Sequence, residues 1–202
     1  MTDGDFLGPI GNASAKYEAS NPVVRHLLNR FLRRVDEAAT NLHPTSVLDV
    51  GCGEGIVTER LAHNLAPAKV LGVDAESHLQ DEWQARSAPN LSFAAGSAYD
   101  LPFENGSFDL VCCMEVLEHL ERPRDALAEM SRVASRALLL SVPNEPGWRI
   151  SHLLAGRNVR ALGNTPGHIT HWSKGAFADL VSDYARSDAT AVFPWTLVVA
   201  TV

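Results

Sequence analysis

The feature that most constrains the fold is a stretch of nine residues in which an apolar strand runs into a glycine-rich bend. Residues 47–55 read Val-Leu-Asp-Val-Gly-Cys-Gly-Glu-Gly, and a helical pattern follows directly. Glycines at such a bend permit tight backbone geometry and let a ligand approach the main chain closely. The stretch therefore predicts a ligand-binding turn at the carboxyl end of a strand.

The rest of the chain alternates short apolar runs with amphipathic helices. Strands are predicted at 46–50, 69–73, 91–95, 108–114, 137–142, 188–193 and 197–202, and helices at 22–42, 55–65, 79–86, 123–134 and 173–182. Residues 143–172 are expected to be irregular. This alternation indicates an α/β fold with a mostly parallel sheet and helices on both faces.

We expect a single domain of residues 1–202. Its predicted parts are an N-terminal arm or lid (1–21), an N-terminal helix (22–43), a cofactor-binding core (46–142), a substrate-side loop (143–172), and a C-terminal helix with two strands (173–202).

Charge and composition exclude several classes of protein. The net charge of −7 disfavours a nucleic-acid binder, because neutralising phosphates supplies most of such a protein's affinity. No apolar run approaches the roughly 20 residues of a membrane-spanning helix, and the N-terminus lacks the basic start and apolar middle of a secretory signal. The three cysteines (Cys52, Cys112 and Cys113) fit neither a disulfide framework nor a zinc site. We therefore expect a reduced, cytoplasmic protein.

Acidic residues at the bend narrow the class of ligand. The third glycine of the bend is Gly55, one residue earlier than in the dinucleotide-binding pattern. Asp49 and Glu54 would repel a pyrophosphate but attract a sulfonium and an ammonium group. Asp74 ends the second predicted strand, where α/β nucleotide-binding domains place the carboxylate that binds ribose. A ribose with positive charge and no phosphate describes S-adenosylmethionine.

Three motifs in order now point to a family. The segments VLDVGCGEG, VLGVDAES and GSAYDLPFENGSFDLVCCMEVLEHLERPRDALAEMSRV together resemble class I S-adenosylmethionine-dependent methyltransferases of the ubiquinone/menaquinone-biosynthesis-like group. The resemblance is close over residues 46–142. It implies a Rossmann-like, seven-stranded, mostly parallel sheet whose last strand is antiparallel and inserted between the fifth and sixth.

The resemblance also implies the cofactor contacts. Glycines of the bend would line the methionine part, an acid would reach the ammonium group through water, and a second acid would bind the ribose hydroxyls. Further residues would contact adenine or the methionine end, and a tyrosine of the arm would lie nearest the transferred methyl. In this order the residues are Gly51, Gly53 and Gly55; Asp49; Asp74; Ala75, Ser97, Ala98 and Tyr99; Met114; and Tyr17. Ser97 stands where the family often has an acid.

Candidate catalytic groups fall in two segments. Glu115, Glu118 and His119 follow the fourth strand, and His168 and His171 lie in the long loop. If residues 115–120 are helical, Glu115 and His119 share a face. We take Glu115, His119 and His168 as the candidates for removing a proton from the acceptor. That the histidines only pack stays an alternative. So does a divalent cation held by residues of both segments, but neither segment is a recognisable metal motif, so we expect no metal.

The predicted function is an S-adenosylmethionine-dependent methyltransferase that methylates a small-molecule acceptor at oxygen by direct displacement. The alternatives are a methyltransferase acting on tRNA or protein, and a non-catalytic S-adenosylmethionine-binding subunit. An NAD-linked oxidoreductase is disfavoured by the glycine spacing and the acids of the bend. The sequence makes no prediction of the acceptor's identity or of the oligomeric state.

Overall fold

The computed structural model describes residues 21–86, 88–154 and 167–202. The helices are α1 (Pro22–Asn41), α2 (Ile56–Asn64), α3 (Gln80–Ala85), α4 (Pro123–Val133), α5 (Gly147–Leu154) and α6 (Lys174–Ser182). The strands are β1 (Ser46–Val50), β2 (Lys69–Asp74), β3 (Leu91–Ala95), β4 (Phe108–Met114), β5 (Ala134–Pro143), β6 (Arg186–Val192) and β7 (Trp195–Thr201). Short 3-10 turns lie at Ser77–Leu79 and Leu117–His119. No helix in these ranges is both long and apolar enough to cross a membrane.

The strands form a single seven-stranded sheet in the order β3-β2-β1-β4-β5-β7-β6. β1 to β5 pair in parallel, and β7 lies antiparallel between β5 and β6. The prediction of a mostly parallel sheet with an inserted antiparallel last strand is confirmed. From β1 the chain first adds β2 and β3 on one side and then crosses to add β4 and the later strands on the other side. Ligands of open α/β sheets bind at the carboxyl ends of the strands beside such a switch point, here between β1 and β4.

Apolar side chains fill a core on each face of the sheet. One core contains residues of α1 and α2, and the other contains residues of α4 and α6, so helices cover both faces as predicted. The adjacent Cys112 and Cys113 on β4 belong to opposite cores, because successive strand residues point to opposite faces. All three cysteines are buried, and burial raises the pKa of each thiol.

The helix α1 begins as its sequence indicates. The Asn21 side chain accepts a hydrogen bond from Val23 N (2.9 Å), and Pro22 takes the first helical position, where no N–H is needed. One stripe of the helix, including Phe31 and Val35, is buried against the sheet.

Two local predictions were wrong. β5 begins at Ala134 rather than Ala137, because its pairing with β4 starts at Phe108 and shifts register before Leu110. Residues 147–154 form helix α5 inside the stretch predicted to be irregular. Pro146 and Gly147 read as loop residues, but at a helix start a missing N–H costs nothing, and Ile150 N donates to the Pro146 carbonyl.

Gly72 on β2 tests the packing beneath the bend. An alanine Cβ there would lie 2.6 and 2.7 Å from ring carbons of Phe93 and 3.0 Å from Cys52 Sγ. We expect Gly72→Ala to lower the free energy of unfolding in urea by about 1–3 kcal/mol, the usual cost of overpacking. The matched control is Gly175→Ala in α6, where nothing lies within 4 Å, and we expect a gain of about 0.5–1 kcal/mol. Equal stability of the two variants would contradict the packing.

Candidate functional site

The bend between β1 and α2 is held against the end of β2. The backbone N–H groups of Gly51 and Cys52 both donate to the Val73 carbonyl (2.7 and 3.2 Å). Gly51, Gly53 and Gly55 all have positive φ (75°, 54° and 78°), a region that other residues rarely adopt.

Gly51 and Gly55 are also required because neighbouring side chains leave no room for a Cβ atom at either position. A Cβ on Gly51 would overlap the Val116 side chain, and one on Gly55 would lie 2.6 Å from the Phe93 ring. Larger residues would therefore displace either the bend or the wall opposite it.

Helix α3 supports the bend from the side away from β1. Trp83 Nε1 donates to the Gly53 carbonyl (2.8 Å), and Arg86 Nε donates to the Glu54 carbonyl (3.0 Å). The Trp83 ring stacks on Phe93, with centroids 5.5 Å apart and planes 9° from parallel. The sequence analysis did not identify Trp83 or Arg86, because nothing in their local spacing links them to the bend.

Asp74 ends β2 and joins the bend to the following turn. Its Oδ2 accepts from Gly53 N (2.8 Å), and its Oδ1 accepts from Glu76 N (2.9 Å). A carboxylate oxygen can accept more than one hydrogen bond, so each oxygen retains capacity for a ligand hydroxyl.

Asp49 is completely buried beside the bend. Thr58 Oγ1 donates to its Oδ2 (2.7 Å), whereas its Oδ1 has no hydrogen-bond partner among the residues that the structure describes. Burial raises the pKa of Asp49 to about 6, the Thr58 hydrogen bond lowers it, and the nearby Asp74 charge adds to the rise. Leaving a buried acceptor unpaired is costly, so this oxygen indicates a site for a donor or cation that belongs to a ligand.

A cavity of about 520 Å³ opens in front of the bend. Of the predicted site residues, its lining contains Gly51, Gly53, Asp74, Ala75, Ser97, Ala98, Tyr99, Glu115 and His119. It also contains Glu54, which the sequence placed in the acidic bend, and residues that were not predicted there: Glu76, His78, Leu79, Gly96, Val116 and Leu120. Most of these unpredicted residues adjoin predicted ones in the sequence, so this proximity was the one signal for them.

Four predicted residues that the structure describes are absent from this lining: Asp49, Gly55, Met114 and His168. Asp49 and Gly55 lie behind the cavity wall, and the Met114 side chain is 1% exposed in the core that contains α1. Met114 therefore does not present its side chain to the cavity. Tyr17 falls outside the described residues, so its predicted contact stays a prediction.

At the end of the cavity beside β3, Tyr99 is held from two sides. Its N–H donates to Ser97 Oγ (3.2 Å), and its hydroxyl accepts from Arg122 N (3.4 Å). The Arg122 guanidinium carbon lies 4.6 Å from the centre of the Tyr99 ring, a cation–π contact. An aromatic face fixed in this way offers a stacking surface for a purine.

Glu115 shapes the wall at the end of β4. Residues 115–120 are not a helix, because Glu115 has φ of 59° and only Leu117–His119 form a 3-10 turn. The expectation that Glu115 and His119 share a helical face was therefore wrong. The Glu115 carboxylate instead accepts from Ser141 Oγ on β5 (2.9 Å), and the side chain is almost fully buried.

The predicted histidines meet at one end of the cavity. The His119 and His168 rings are in edge contact, with centroids 4.9 Å apart. His119 Nδ1 lies 2.9 Å from the Gly167 carbonyl, and His119 Nε2 lies 4.0 Å from Glu118 Oε1. Glu118, His119 and His168 are close enough to hold a metal ion, and His171, 6.4 Å from His168 between ring centres, is outside that group.

The residues present fit the cofactor that the sequence predicts. The unpaired Asp49 oxygen suits an ammonium group, and Asp74 suits a ribose. Gly51 and Gly53 of the bend line the cavity, and no lysine or arginine among the described residues lines it to hold a phosphate.

Comparisons with known proteins decide the family. The family described as "Methyltransferase domain" matches residues 48–137. The chain is 36% identical over 140 residues to a ubiquinone biosynthesis O-methyltransferase of Methylococcus capsulatus, covering 67% of this chain and 54% of the relative. It is 30% identical over 155 residues to a demethylmenaquinone methyltransferase of Beutenbergia cavernae, covering 75% of this chain and 63% of the relative. The segment 48–137 therefore belongs to this methyltransferase-domain family, which agrees with the resemblance of the chain to class I S-adenosylmethionine-dependent methyltransferases.

A solved structure agrees on the fold. The magnesium protoporphyrin IX methyltransferase of Synechocystis, determined with bound S-adenosylhomocysteine, is 22% identical with a TM-score of 0.63, over 92% of this chain and 90% of that one. This likeness confirms the predicted fold. The match to the methyltransferase-domain family supports S-adenosylmethionine as the cofactor. The chain spans less than two thirds of each of the two curated relatives named above.

Asp74 provides a direct test of the cofactor contact. Because Asp74→Ala removes acceptors for the ribose hydroxyls, we expect it to weaken binding of both S-adenosylmethionine and S-adenosylhomocysteine by about 1–3 kcal/mol in calorimetry. The control is Asp188→Ala on the edge strand β6, remote from the cavity. Unchanged affinity in Asp74→Ala would remove this residue from the site.

Asp49 predicts how stability depends on pH. Its pKa rises from 3.8 to about 6 on folding, so its contribution to stability is complete below about pH 4 and is lost as the pH rises through 6. Above pH 7 the free energy of unfolding has lost about 3 kcal/mol relative to its value below pH 4, which is the free energy equivalent of this pKa shift. Asp49→Asn does not titrate, so the free energy of unfolding of the ligand-free wild type should fall relative to that of this variant between pH 4 and pH 7. A difference that does not change with pH, measured in urea, would refute the assignment.

Proposed function

We propose that the chain methylates the oxygen of a small-molecule acceptor in the cytoplasm, by direct displacement from S-adenosylmethionine. The observation that carries this proposal is that one cavity has the acidic glycine bend at one side and His119 at another. A cofactor site and a group able to handle a proton thus share a single space. The similarity to a ubiquinone biosynthesis O-methyltransferase supports the choice of atom.

The chain's part in such a reaction is alignment, exclusion of water and removal of one proton. When bound, S-adenosylmethionine supplies a methyl group already activated on a sulfonium. Asp49 and Asp74 would fix its ammonium and ribose parts, and the glycine bend would hold its methionine part. Holding two reactants in the right geometry supplies much of the rate enhancement for a direct displacement.

The acceptor's proton would leave at the end of the cavity formed by His119. A carbonyl oxygen only accepts hydrogen bonds, so the contact of His119 Nδ1 with Gly167 O places the ring proton on Nδ1. The basic lone pair of the neutral ring is then on Nε2, beside the Glu118 carboxylate. His168 packs against this ring and Glu115 forms the neighbouring wall, so both would position the group that takes the proton.

Charge favours a small acceptor over a nucleic acid. The chain has a net charge of −7, and Glu54, Asp74 and Glu76 lie around the cavity. These carboxylates would repel a phosphate backbone. The three buried, reduced cysteines agree with a cytoplasmic location.

We assign the acceptor side to residues 143–172, within a single domain of residues 1–202. The described parts of this range are residues 143–154 and 167–172, and they meet where the Trp148 ring of α5 lies 6.0 Å from the His168 ring between centres. The arm of residues 1–21, with Tyr17, would cover the cofactor.

The test measures S-adenosylhomocysteine released from S-adenosylmethionine with three classes of acceptor. We expect release with simple phenols such as catechols and hydroxybenzoates, and none with a tRNA pool or a denatured protein mixture. His119→Ala should lower kcat on the phenol by about 100-fold or more, the usual range for losing a proton-transfer group. His63→Ala in α2, exposed and remote from the cavity, is the matched control.

Three outcomes would overturn parts of the proposal. Release only with RNA or protein would contradict a small-molecule acceptor. Tight cofactor binding with no release for any acceptor would indicate a non-catalytic subunit. Wild-type turnover in His119→Ala would remove His119 from the reaction.

A further inference from the structure

A single residue of β5 holds Glu115 both at its backbone and at its side chain. Glu115 N donates to the Ser141 carbonyl (3.1 Å), and Ser141 Oγ donates to Glu115 Oε1 (2.9 Å). Ser141 is fully buried, and Glu115 is 4% exposed. The φ of 59° at Glu115 is uncommon for a residue with a side chain and turns the backbone at the end of β4. The direction of this carboxylate is therefore fixed by the fold before a ligand binds.

Glu115 lies at the β4 end of the cavity in front of the glycine bend. The lining crosses the sheet from residues 97–99 after β3, through Asp74 at the end of β2 and the bend after β1, to Glu115 after β4. Neighbouring strands are about 4.8 Å apart, so the ends of β2 and β4 are about 10 Å apart. Val116 lies directly against the bend, because a Cβ on Gly51 would overlap its side chain.

The order of these groups along the cavity follows the order of the parts of S-adenosylmethionine. With the adenine against Tyr99 and the ribose at Asp74, the sulfonium is one methylene group beyond the ribose ring, toward β1 and β4. Four carboxylates line the cavity and no lysine or arginine of the described residues does: the acids are Glu54, Asp74, Glu76 and Glu115. Of these four, Glu115 is the one that follows β4.

We propose that Glu115 provides the counter-charge for the sulfonium of the cofactor, and that Ser141 is the positioning residue that holds its carboxylate in place. A carboxylate fixed in a buried wall attracts a ligand that is positively charged at the transfer position. It gives no such attraction to the neutral thioether that remains after transfer. The Glu115–Ser141 pair would therefore make the site prefer S-adenosylmethionine to S-adenosylhomocysteine.

This attraction serves exchange of the cofactor rather than the chemical step. The sulfur becomes neutral as the methyl group leaves, so the contact with Glu115 weakens on the way to products. A contact that is stronger in the ground state does not lower the barrier, but it lets fresh cofactor displace the spent product. The role is separate from proton removal by His119. It rests on the cofactor and not on the acceptor, so the test contains no acceptor.

The test is calorimetric binding of three ligands that share the same adenosine and amino-acid parts. S-adenosylmethionine has a sulfonium at the transfer position, sinefungin has an ammonium group there, and S-adenosylhomocysteine has no charge there. We expect the wild type to bind the two cationic ligands at least about ten-fold more tightly than S-adenosylhomocysteine. Glu115→Gln keeps the size of the side chain and should remove most of this preference, while its affinity for S-adenosylhomocysteine stays close to that of the wild type.

Two further variants separate charge from structure. Ser141→Ala removes the hydrogen bond that orients Glu115, so it should lower the same preference in the same direction. Asp49→Asn is the matched control, because it also neutralises a buried carboxylate beside the bend. Asp49 is predicted at the ammonium group that all three ligands carry, so this variant should weaken all three alike and leave the preference unchanged.

The preference of the wild type is measured without any variant, so the inference stays testable even where Glu115→Gln fails to fold. Binding of S-adenosylhomocysteine reports whether each variant is folded. Equal wild-type affinity for charged and neutral ligands, equal weakening of all three ligands in Glu115→Gln, or an unchanged preference in that variant would overturn the inference. The proposed function fails by a different result, the absence of methyl transfer to phenols.

Discussion

The structure depends on the attachment of the β1–α2 bend to the end of β2. Asp74 accepts the Gly53 N–H, Trp83 donates to the Gly53 carbonyl, and Val73 accepts two further N–H groups of the bend. Both sides of the Gly53 peptide are therefore fixed by side chains from beyond β1. Because the cavity wall is mostly main chain at this point, any movement of the bend would change the ligand site directly.

The same carboxylate has a structural role and is the predicted ligand of the ribose. Asp74 orders the bend and the turn at Glu76, and it is also the residue that the sequence assigns to the ribose. A group used in both ways is preorganised, since its orientation is set before a ligand arrives. Asp49 differs from Asp74 in that only one of its oxygens is fixed by the protein. Its Oδ2 accepts a hydrogen bond from Thr58, and its Oδ1 is buried without a partner among the described residues.

Local patterns in the sequence predicted the sheet, its helices on both faces and most of the cavity lining. They succeeded where periodicity and spacing carry the information, as in the strand that runs into glycines and in the acid that ends β2. They failed where the deciding partner is remote in sequence. The spacing of Glu115 and His119 is helical, and only Ser141, on another strand, reveals that Glu115 turns away. Helix α5 was missed for a different, local reason, because Pro146 directly before it was interpreted as a break rather than as part of a helix start.

The sequence identified the residues that could form a histidine cluster, but not that Glu118, His119 and His168 are the three that lie together. Five residues of two segments were candidates for a cation, and no local rule could choose among them. The choice comes from hydrogen bonds between residues about fifty positions apart: the Ile169 and Thr170 N–H groups donate to the Glu118 carbonyl, and the Gly167 carbonyl accepts from His119 Nδ1. These bonds bring His168 to Glu118 and leave His171 outside.

Buried carboxyl groups in the described part of the chain gather at the carboxyl side of the central strands. Asp49, Glu115, Glu118 and Glu145 are each at most 9% exposed, and they lie on β1 or just after β4 and β5. Burial raises the pKa of Glu145 as it does that of Asp49, so the surroundings of these two carboxyl groups disfavour negative charge. Charges placed where they destabilise the ligand-free fold are typical of functional sites. A cationic nucleoside or a metal ion would relieve that penalty, because a ligand that binds only the folded state stabilises it. The edge of the sheet where buried carboxyl groups lower the stability of the ligand-free protein is therefore the edge best suited to bind positively charged ligands.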